Sequence, residues 1–322
     1  MERFTYESNP NYWVKNPKLL YIDRYGNVYP DCKTYKSPII CHITDKDAKS
    51  KINEFVLGND DLVFNMITVE LSGRCNANCI YCFQHDNNRN NKYRFFDELF
   101  ELLNQLKTYW LFFSGGEILF QNDSMEFIER YKKKNPDVWV HLKTNGNAGV
   151  YEESISFVDK YCDSVMVSFN GFSEATYNTI MRLELSYAIN FCETLKRLGN
   201  VNVGVKLLNS AITIAEIPFF LDWAINQKFK CIALQVAYNY EIDMASGKSN
   251  RLNSTLPSSD ESQYWMAVYN RVSEEIHKVI SEHRMDINCE YNFLTADREL
   301  DNILGLNRDK CLFRTDGVYI IE

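Results

Sequence analysis

No run in this 322-residue chain reaches about 18 consecutive apolar residues, the length a membrane-spanning helix needs. The opening residues Met1-Glu-Arg-Phe-Thr-Tyr6 lack the apolar stretch of a secretory leader. No block of Lys and Arg stands out and the net charge is −8, so counterion release gives little drive toward nucleic acid. Ten cysteines over this length are too sparse for a disulfide scaffold. Together these absences predict a soluble, cytoplasmic protein in a reducing compartment, without membrane or nucleic-acid partners. What the chain has is ordinary apolar content, 45%, enough to bury one large core of the size that α/β barrels often form as a single domain. The abundance of Phe, Tyr and Asn reads as compositional bias.

Against that background one short run stands apart: Arg74-Cys75-Asn-Ala-Asn-Cys79-Ile-Tyr-Cys82-Phe83. Three thiolates at this spacing can hold three irons of a cubane [4Fe–4S] cluster, one fewer than closes it. The fourth iron then stays open to a ligand that is not protein, as a catalytic zinc keeps one position open. The competing readings are a zinc site or buried apolar cysteines. Zinc ligands usually come as Cys-x2-Cys pairs closed by a fourth donor, and Cys32, Cys41 and His85 sit at no persuasive spacing for that.

From about residue 66 short apolar runs alternate with longer helical patterns. The predicted strands are 66–71, 109–114, 138–143, 164–169, 201–208 and 231–238; the predicted helices are 96–106, 124–134, 152–161, 187–198 and 214–227. Such alternation argues for βαβ units around a parallel sheet. Six units make three quarters of an eightfold barrel, so the expected fold is α/β, a partial (β/α)6 TIM-like barrel. Reactive groups in such barrels sit at the C-terminal strand ends, and the cysteine run follows the first strand directly. The expected organisation is an N-terminal extension over 1–65 with a β-hairpin at 20–30, the barrel over 66–238, and a C-terminal helical and hairpin extension over 239–322. That extension starts with a polar loop at 239–258, followed by an amphipathic helix at 259–282 and a hairpin at 312–321.

Cys-x3-Cys-x2-Cys with an aromatic before the last cysteine resembles the signature of radical S-adenosylmethionine (SAM) enzymes. The resemblance extends to Ser114-Gly115-Gly116-Glu117 at the end of the second predicted strand, to Thr144-Asn145-Gly146 at the third and to Ser168-Phe169-Asn170-Gly171 at the fourth. It is closest to the branch whose members carry a C-terminal accessory-cluster extension (SPASM or Twitch), although that extension's cysteine motif is absent as such. The resemblance implies a [4Fe–4S] cluster held by Cys75, Cys79 and Cys82, with SAM chelating the open iron. It further implies SAM contacts from Tyr81, the Ser114–Glu117 turn, Asn145, Ser168, Asn170 and Arg182. Here Asn170 stands where Asp is commoner, and Leu183 follows Arg182 where Gly is usual. Taken singly, the Asn-Gly dipeptides read equally well as turns. Cys162, Cys192 and Cys231 read as core thiols; Cys32, Cys41, Cys289 and Cys311 are either buried thiols or an accessory site.

The expected activity is reductive cleavage of SAM to a 5′-deoxyadenosyl radical that takes a hydrogen atom from the substrate. A ribosomally synthesised peptide is the leading substrate class, and a sugar, nucleoside or other small metabolite the alternative; a non-catalytic Fe–S or zinc-binding module is the rival of another class. An electron donor such as flavodoxin or ferredoxin is implied as a partner. Lys206 and Tyr238, near the ends of the fifth and sixth predicted strands, are the candidate catalytic side chains.

Overall fold

The computed structural model describes residues 19–30, 38–56, 63–80, 82, 92–148, 152–209, 213–229, 231–236 and 293–295. Six strands form its centre: β4 (Val63–Glu70), β5 (Lys107–Ser114), β6 (Trp139–Thr144), β7 (Ser164–Phe169), β8 (Asn202–Asn209) and β9 (Cys231–Val236). Each is parallel to the next. They precede or follow helices α2 (Phe96–Gln105), α3 (Asn122–Lys134), α4 (Glu152–Tyr161), α5 (Glu174–Met181), α6 (Leu185–Leu198) and α7 (Ile217–Asn226). The partial parallel barrel expected from the sequence is therefore what the chain forms. Its sheet does not close, running from β10 (Phe293–Thr295), parallel to β9, to the N-terminal strands.

Those N-terminal strands belong to the same sheet. β1 (Leu19–Ile22) and β2 (Asn27–Pro30) form the expected hairpin, and β3 (Cys41–His42) pairs with β2 ahead of α1 (Ala48–Val56). β1 also lies parallel to β4, with Ile22 level with Val69. The hairpin turn thus reaches the same end of the sheet as the cysteine run. Neither α1 nor α5 is among the elements expected from the sequence. The expected helix at 259–282 and hairpin at 312–321 lie outside the described residues.

Strand alternation separates two faces. Ile67, Val69, Leu111, Phe113, Val140, Leu142, Val165, Val167, Val205 and Leu207 join one large core with the helices. The opposite, inner face has its own apolar floor: Leu19, Met66 and Phe112 pack together with Trp110. Trp110 stacks on Trp139 at 5.8 Å between ring centroids, and Phe112 meets His141 at 4.9 Å. Nearer the C-terminal strand ends the inner face turns polar, with Glu70, Ser114, Lys143, Ser168 and Lys206 in succession around the strands. Among the described residues no helix is long and apolar enough to cross a membrane.

Arg24, just past β1, forms an ion pair with Glu70 at the end of β4; their side chains are 5% and 3% exposed. The pair clamps the hairpin to the strand that leads into the cysteine run. Removing one member of a buried pair strands the other charge in low dielectric. Arg24→Met is expected to lower unfolding free energy by about 3–5 kcal/mol. Arg24→Met combined with Glu70→Met should recover most of that loss. Urea unfolding of the three proteins measures it.

Candidate active site

The loop after β4 is held from three sides. On the first, the turn that ends β5 zips onto it. Leu71 N–H donates to the Ser114 carbonyl (3.0 Å), Gly116 N–H to that of Ser72 (2.6 Å) and Glu117 N–H to that of Arg74 (2.7 Å). Gln121 Nε2 also donates to the Arg74 carbonyl at 3.1 Å. Glycine is required here by contact. A Cβ on Gly116 would stand 2.0 Å from the Arg74 carbonyl oxygen, and one on Gly115 2.5 Å from that of Ser72. Gly115 also has φ +149°, which L side chains rarely adopt.

The second side is the end of β6. Asn145 Nδ2 donates to Asn76 Oδ1 at 2.8 Å, inside the cysteine run. Glu117 fastens β6 to β5: its carboxylate accepts from Thr144 Oγ1 (2.7 Å), Asn145 N–H (2.7 Å) and Leu119 N–H (3.2 Å). Burial pushes that carboxyl up to about 7, with the three hydrogen bonds opposing. The side chains of Glu117 and Asn145 are thus engaged with protein, so any cofactor contact from this turn comes from its backbone.

The third side is the last turn of α5. Asn78 N–H donates to the Met181 carbonyl (2.9 Å) and Ile80 N–H to that of Ile180 (3.0 Å). Ser173 starts this helix by accepting from Thr176 N–H at 3.2 Å. Arg182 ends it in the left-handed conformation, φ +60°, with its side chain exposed. Asn170, buried after β7, donates to Met181 Sδ at 3.1 Å. Ser168 is buried on the inner face, level with Lys206.

Cys75, Cys79 and Cys82 are all partly exposed in this cradle, and Cys75 and Cys79 pack on the core. The Ala77 N–H points at Cys75 Sγ at 3.4 Å, a donor that favours thiolate. Among the described residues no three His, Cys, Asp or Glu side chains converge tightly enough to hold one metal ion. A cubane makes a different demand, since each thiolate binds an iron at its own corner. Three part-exposed thiols on a braced loop at a strand end fit that group. Cys41, Cys162 and Cys192 are instead buried, and burial pushes each thiol upward, that of Cys41 to about 11. Cys231 begins β9 and is buried. Cys32, Cys289 and Cys311 lie outside the described residues.

Of the remaining expected residues, Tyr81 and Tyr238 lie outside the described set. Lys206 sits within β8 rather than at its end, 6% exposed on the inner face. Burial, and then the neighbouring Lys143 amine, hold it well below the usual lysine range. Sequence reasoning passed over Asn76, Asn147 and Tyr177. The Tyr177 hydroxyl donates to the Asn145 carbonyl (3.1 Å) and accepts from Asn147 Nδ2 (3.0 Å), which ties α5 to the end of β6. The repeated asparagine in Asn145-Gly-Asn147 was the available signal.

Two outcomes follow. Gly116→Ala should displace the Arg74 carbonyl and with it the cysteine loop. Anaerobic reconstitution should give about four irons per chain in the wild type, as one cubane requires, and almost none in the variant, with the far-ultraviolet circular dichroism unchanged. Glu117 binds its proton more tightly folded than unfolded, so its contribution is fully present below about pH 4.5 and is lost as pH rises through about 7. That loss amounts to about 3 kcal/mol. Glu117→Gln should abolish this part of the pH dependence, read by urea unfolding at pH 5 and pH 8.

Residues 69–214 match the family model described as the Radical SAM superfamily. An uncharacterized protein of Methanocaldococcus jannaschii, MJ0907, is 30% identical over 171 residues, covering 50% of this chain and 53% of that protein. The structure of SuiB from Streptococcus suis bound to the precursor peptide SuiA superposes with a TM-score of 0.54 at 12% identity, covering 81% of this chain and 55% of that one. SuiB bound to S-adenosylmethionine gives 0.56 at 12% identity, covering 80% and 58%. At that identity the likeness is one of fold, and the chain spans little more than half the length of these relatives. The braced three-cysteine loop and the matching family model agree: residues 69–214 are a radical SAM domain, of the superfamily that uses a [4Fe–4S] cluster and S-adenosylmethionine.

Proposed function

We propose that this protein is a radical SAM enzyme that modifies a ribosomally synthesised peptide. The observation that carries the enzyme reading is the contact between the Gly115-Gly116 turn and the cysteine loop, because it sets a cluster-binding loop and an ammonium-accepting turn side by side. In this reading Cys75, Cys79 and Cys82 hold the cluster. The backbone of the Ser114–Glu117 turn accepts from the SAM ammonium, the Arg182 guanidinium faces its carboxylate, and Ser168 and Asn170 line the remainder. When bound, the cluster and SAM supply a 5′-deoxyadenosyl radical able to take a hydrogen atom from a nearby C–H bond.

The chain's own part is positioning and exclusion. The aromatic floor of Trp110, Trp139 and Phe112, with the Trp139 indole N–H already donated to Ser164 Oγ, favours a water-poor lumen. The substrate C–H has to be held at near-attack distance, about 3–3.5 Å. Residues 1–65 and 239–322 act as the substrate-selecting extensions, and an external flavodoxin or ferredoxin supplies the electron. Support for a peptide comes from the fold shared with SuiB, whose structure holds its precursor peptide, and from the hairpin that widens the sheet beside β4.

Anaerobic reconstitution with iron and sulfide tests the reading. A broad visible absorbance shoulder and 5′-deoxyadenosine from SAM plus dithionite are expected in the wild type. Both should vanish when Cys75, Cys79 and Cys82 are replaced together by Ala. A colourless protein that binds zinc and makes no 5′-deoxyadenosine would leave a binding module as the better description.

A further inference from the structure

We infer that His141 presents its Nε2–H to the inside of the barrel as a hydrogen-bond donor for an amide carbonyl of the substrate. The inference rests on the peptide reading above and names a group that would grip that peptide. His141 lies on the inner face of β6. Val140 and Leu142 join the core under the helices, which leaves Trp139, His141 and Lys143 on the opposite side. The ring meets Phe112 of the floor at 4.9 Å between centroids, and the residue is 4% exposed. One ring nitrogen is already engaged. His141 Nδ1 lies 2.7 Å from Ser164 Oγ, and the same oxygen accepts from Trp139 Nε1–H at 2.8 Å. Ser164 begins β7, level with His141, so the three side chains form one hydrogen-bonded chain across two neighbouring strands.

The direction of that chain fixes the ring's proton. An indole nitrogen only donates, so Trp139 takes a lone pair of Ser164 Oγ and accepts nothing back. Among the described residues the hydroxyl proton then has one acceptor in reach, His141 Nδ1. A neutral ring whose Nδ1 accepts carries its proton on Nε2. Nε2 itself makes no hydrogen bond among the described residues. The chain thus ends on a buried donor with nothing to donate to, a costly arrangement that a substrate acceptor relieves. Burial, and then the Lys143 ammonium on the same face, lower the imidazole to about 3, so the ring stays neutral. A neutral donor against an aromatic floor suits an uncharged carbonyl, since it brings no charge to offset a carboxylate removed from water. Depth assigns the donor to substrate rather than SAM. Ser164 stands four residues before Ser168, the proposed SAM contact on its strand, which is about 13 Å of extended chain. An extended peptide of about four residues spans that interval. Its anchored carbonyl would fix how far it enters and so which C–H faces the reacting centre.

Nuclear magnetic resonance of ring-15N histidine in reconstituted, SAM-loaded protein tests this directly. His141→Asn assigns the signal among the five histidines. If that variant fails to fold, Ser164→Ala assigns it instead, by changing the same ring's Nδ1. At pH 7 Nε2 should be protonated and Nδ1 bare. Titration with N-acetylglycine N-methylamide should move the Nε2 resonance and leave the other four histidines in place; acetate should leave all five in place. Ser164→Ala frees the ring to take either tautomer, so the amide should bind about threefold or more weakly. Lys49→Met, at an exposed position of α1, should change nothing. SAM affinity should be the same in every folded variant. A proton on Nδ1 in the wild type, an Nε2 resonance that the amide leaves unmoved, or one that acetate moves in its place overturns the inference. Formation of 5′-deoxyadenosine in the same wild-type sample keeps the two readings apart. If it forms while Nε2 stays unmoved, the donor fails alone; if it does not form, the enzyme reading fails and the titration still reports on His141.

Discussion

Everything at this site depends on how closely two pieces of backbone approach one another. The Gly116 backbone lies so near the Arg74 carbonyl that a single methyl group would collide with it, and three hydrogen bonds hold the two turns in that contact. Since these turns end adjacent parallel strands, the sheet brings them together and glycine lets them touch. The cysteine loop inherits its position from this contact instead of from its own sequence, which is Asn-rich and has no regular structure between Gly73 and Ile80. A loop carrying a redox group benefits from such bracing, because ligand groups held in place need not be ordered when the group binds.

Glu117 shows what the bracing costs. A carboxylate with almost no exposure would ordinarily be a poor choice for joining strand ends, and burial does push its pKa upward. What recommends it is its acceptor capacity: one side chain takes hydrogen bonds from Thr144, Asn145 and Leu119 at once. Three donors left unsatisfied in the interior would cost more than the carboxyl does. The Gly-Gly-Glu run is thereby two devices in succession. The glycines permit the approach to the cysteine loop, and the glutamate locks the next strand end to the same place.

Much of the barrel could be read in the sequence because its strands and helices carry their own periodicity. β7 and α4 occupy the residues expected of them, and the others differ by a few residues at their ends. The cysteine run, Gly115-Gly116 and Asn145 could be found because spacing and glycine are local signals. α5 escaped notice because it is only eight residues long and its start depends on Ser173 following an Asn-Gly turn. The joining of β1 to β4 and the Arg24–Glu70 pair are relations between residues far apart in the chain. Nothing local encodes them. A lysine within the run Val203-Gly-Val-Lys-Leu-Leu208 invites attention, but its place level with Ser168 becomes visible only once β7 is set beside it.

The inner face then has a gradient that follows from strand parity alone. Its lower level, Leu19, Met66, Trp110, Phe112 and Trp139, is apolar and aromatic. Toward the C-terminal ends of the strands, the same face presents Glu70, Ser114, Lys143 and Lys206. Of these charges, Glu70 is neutralised by Arg24, so the hairpin does more than extend the sheet. It offsets the charge of a carboxylate buried at the end of β4. With Glu70 uncompensated, a carboxylate between β1 and β5 would be buried in low dielectric at the end of the strand that leads into the cysteine loop.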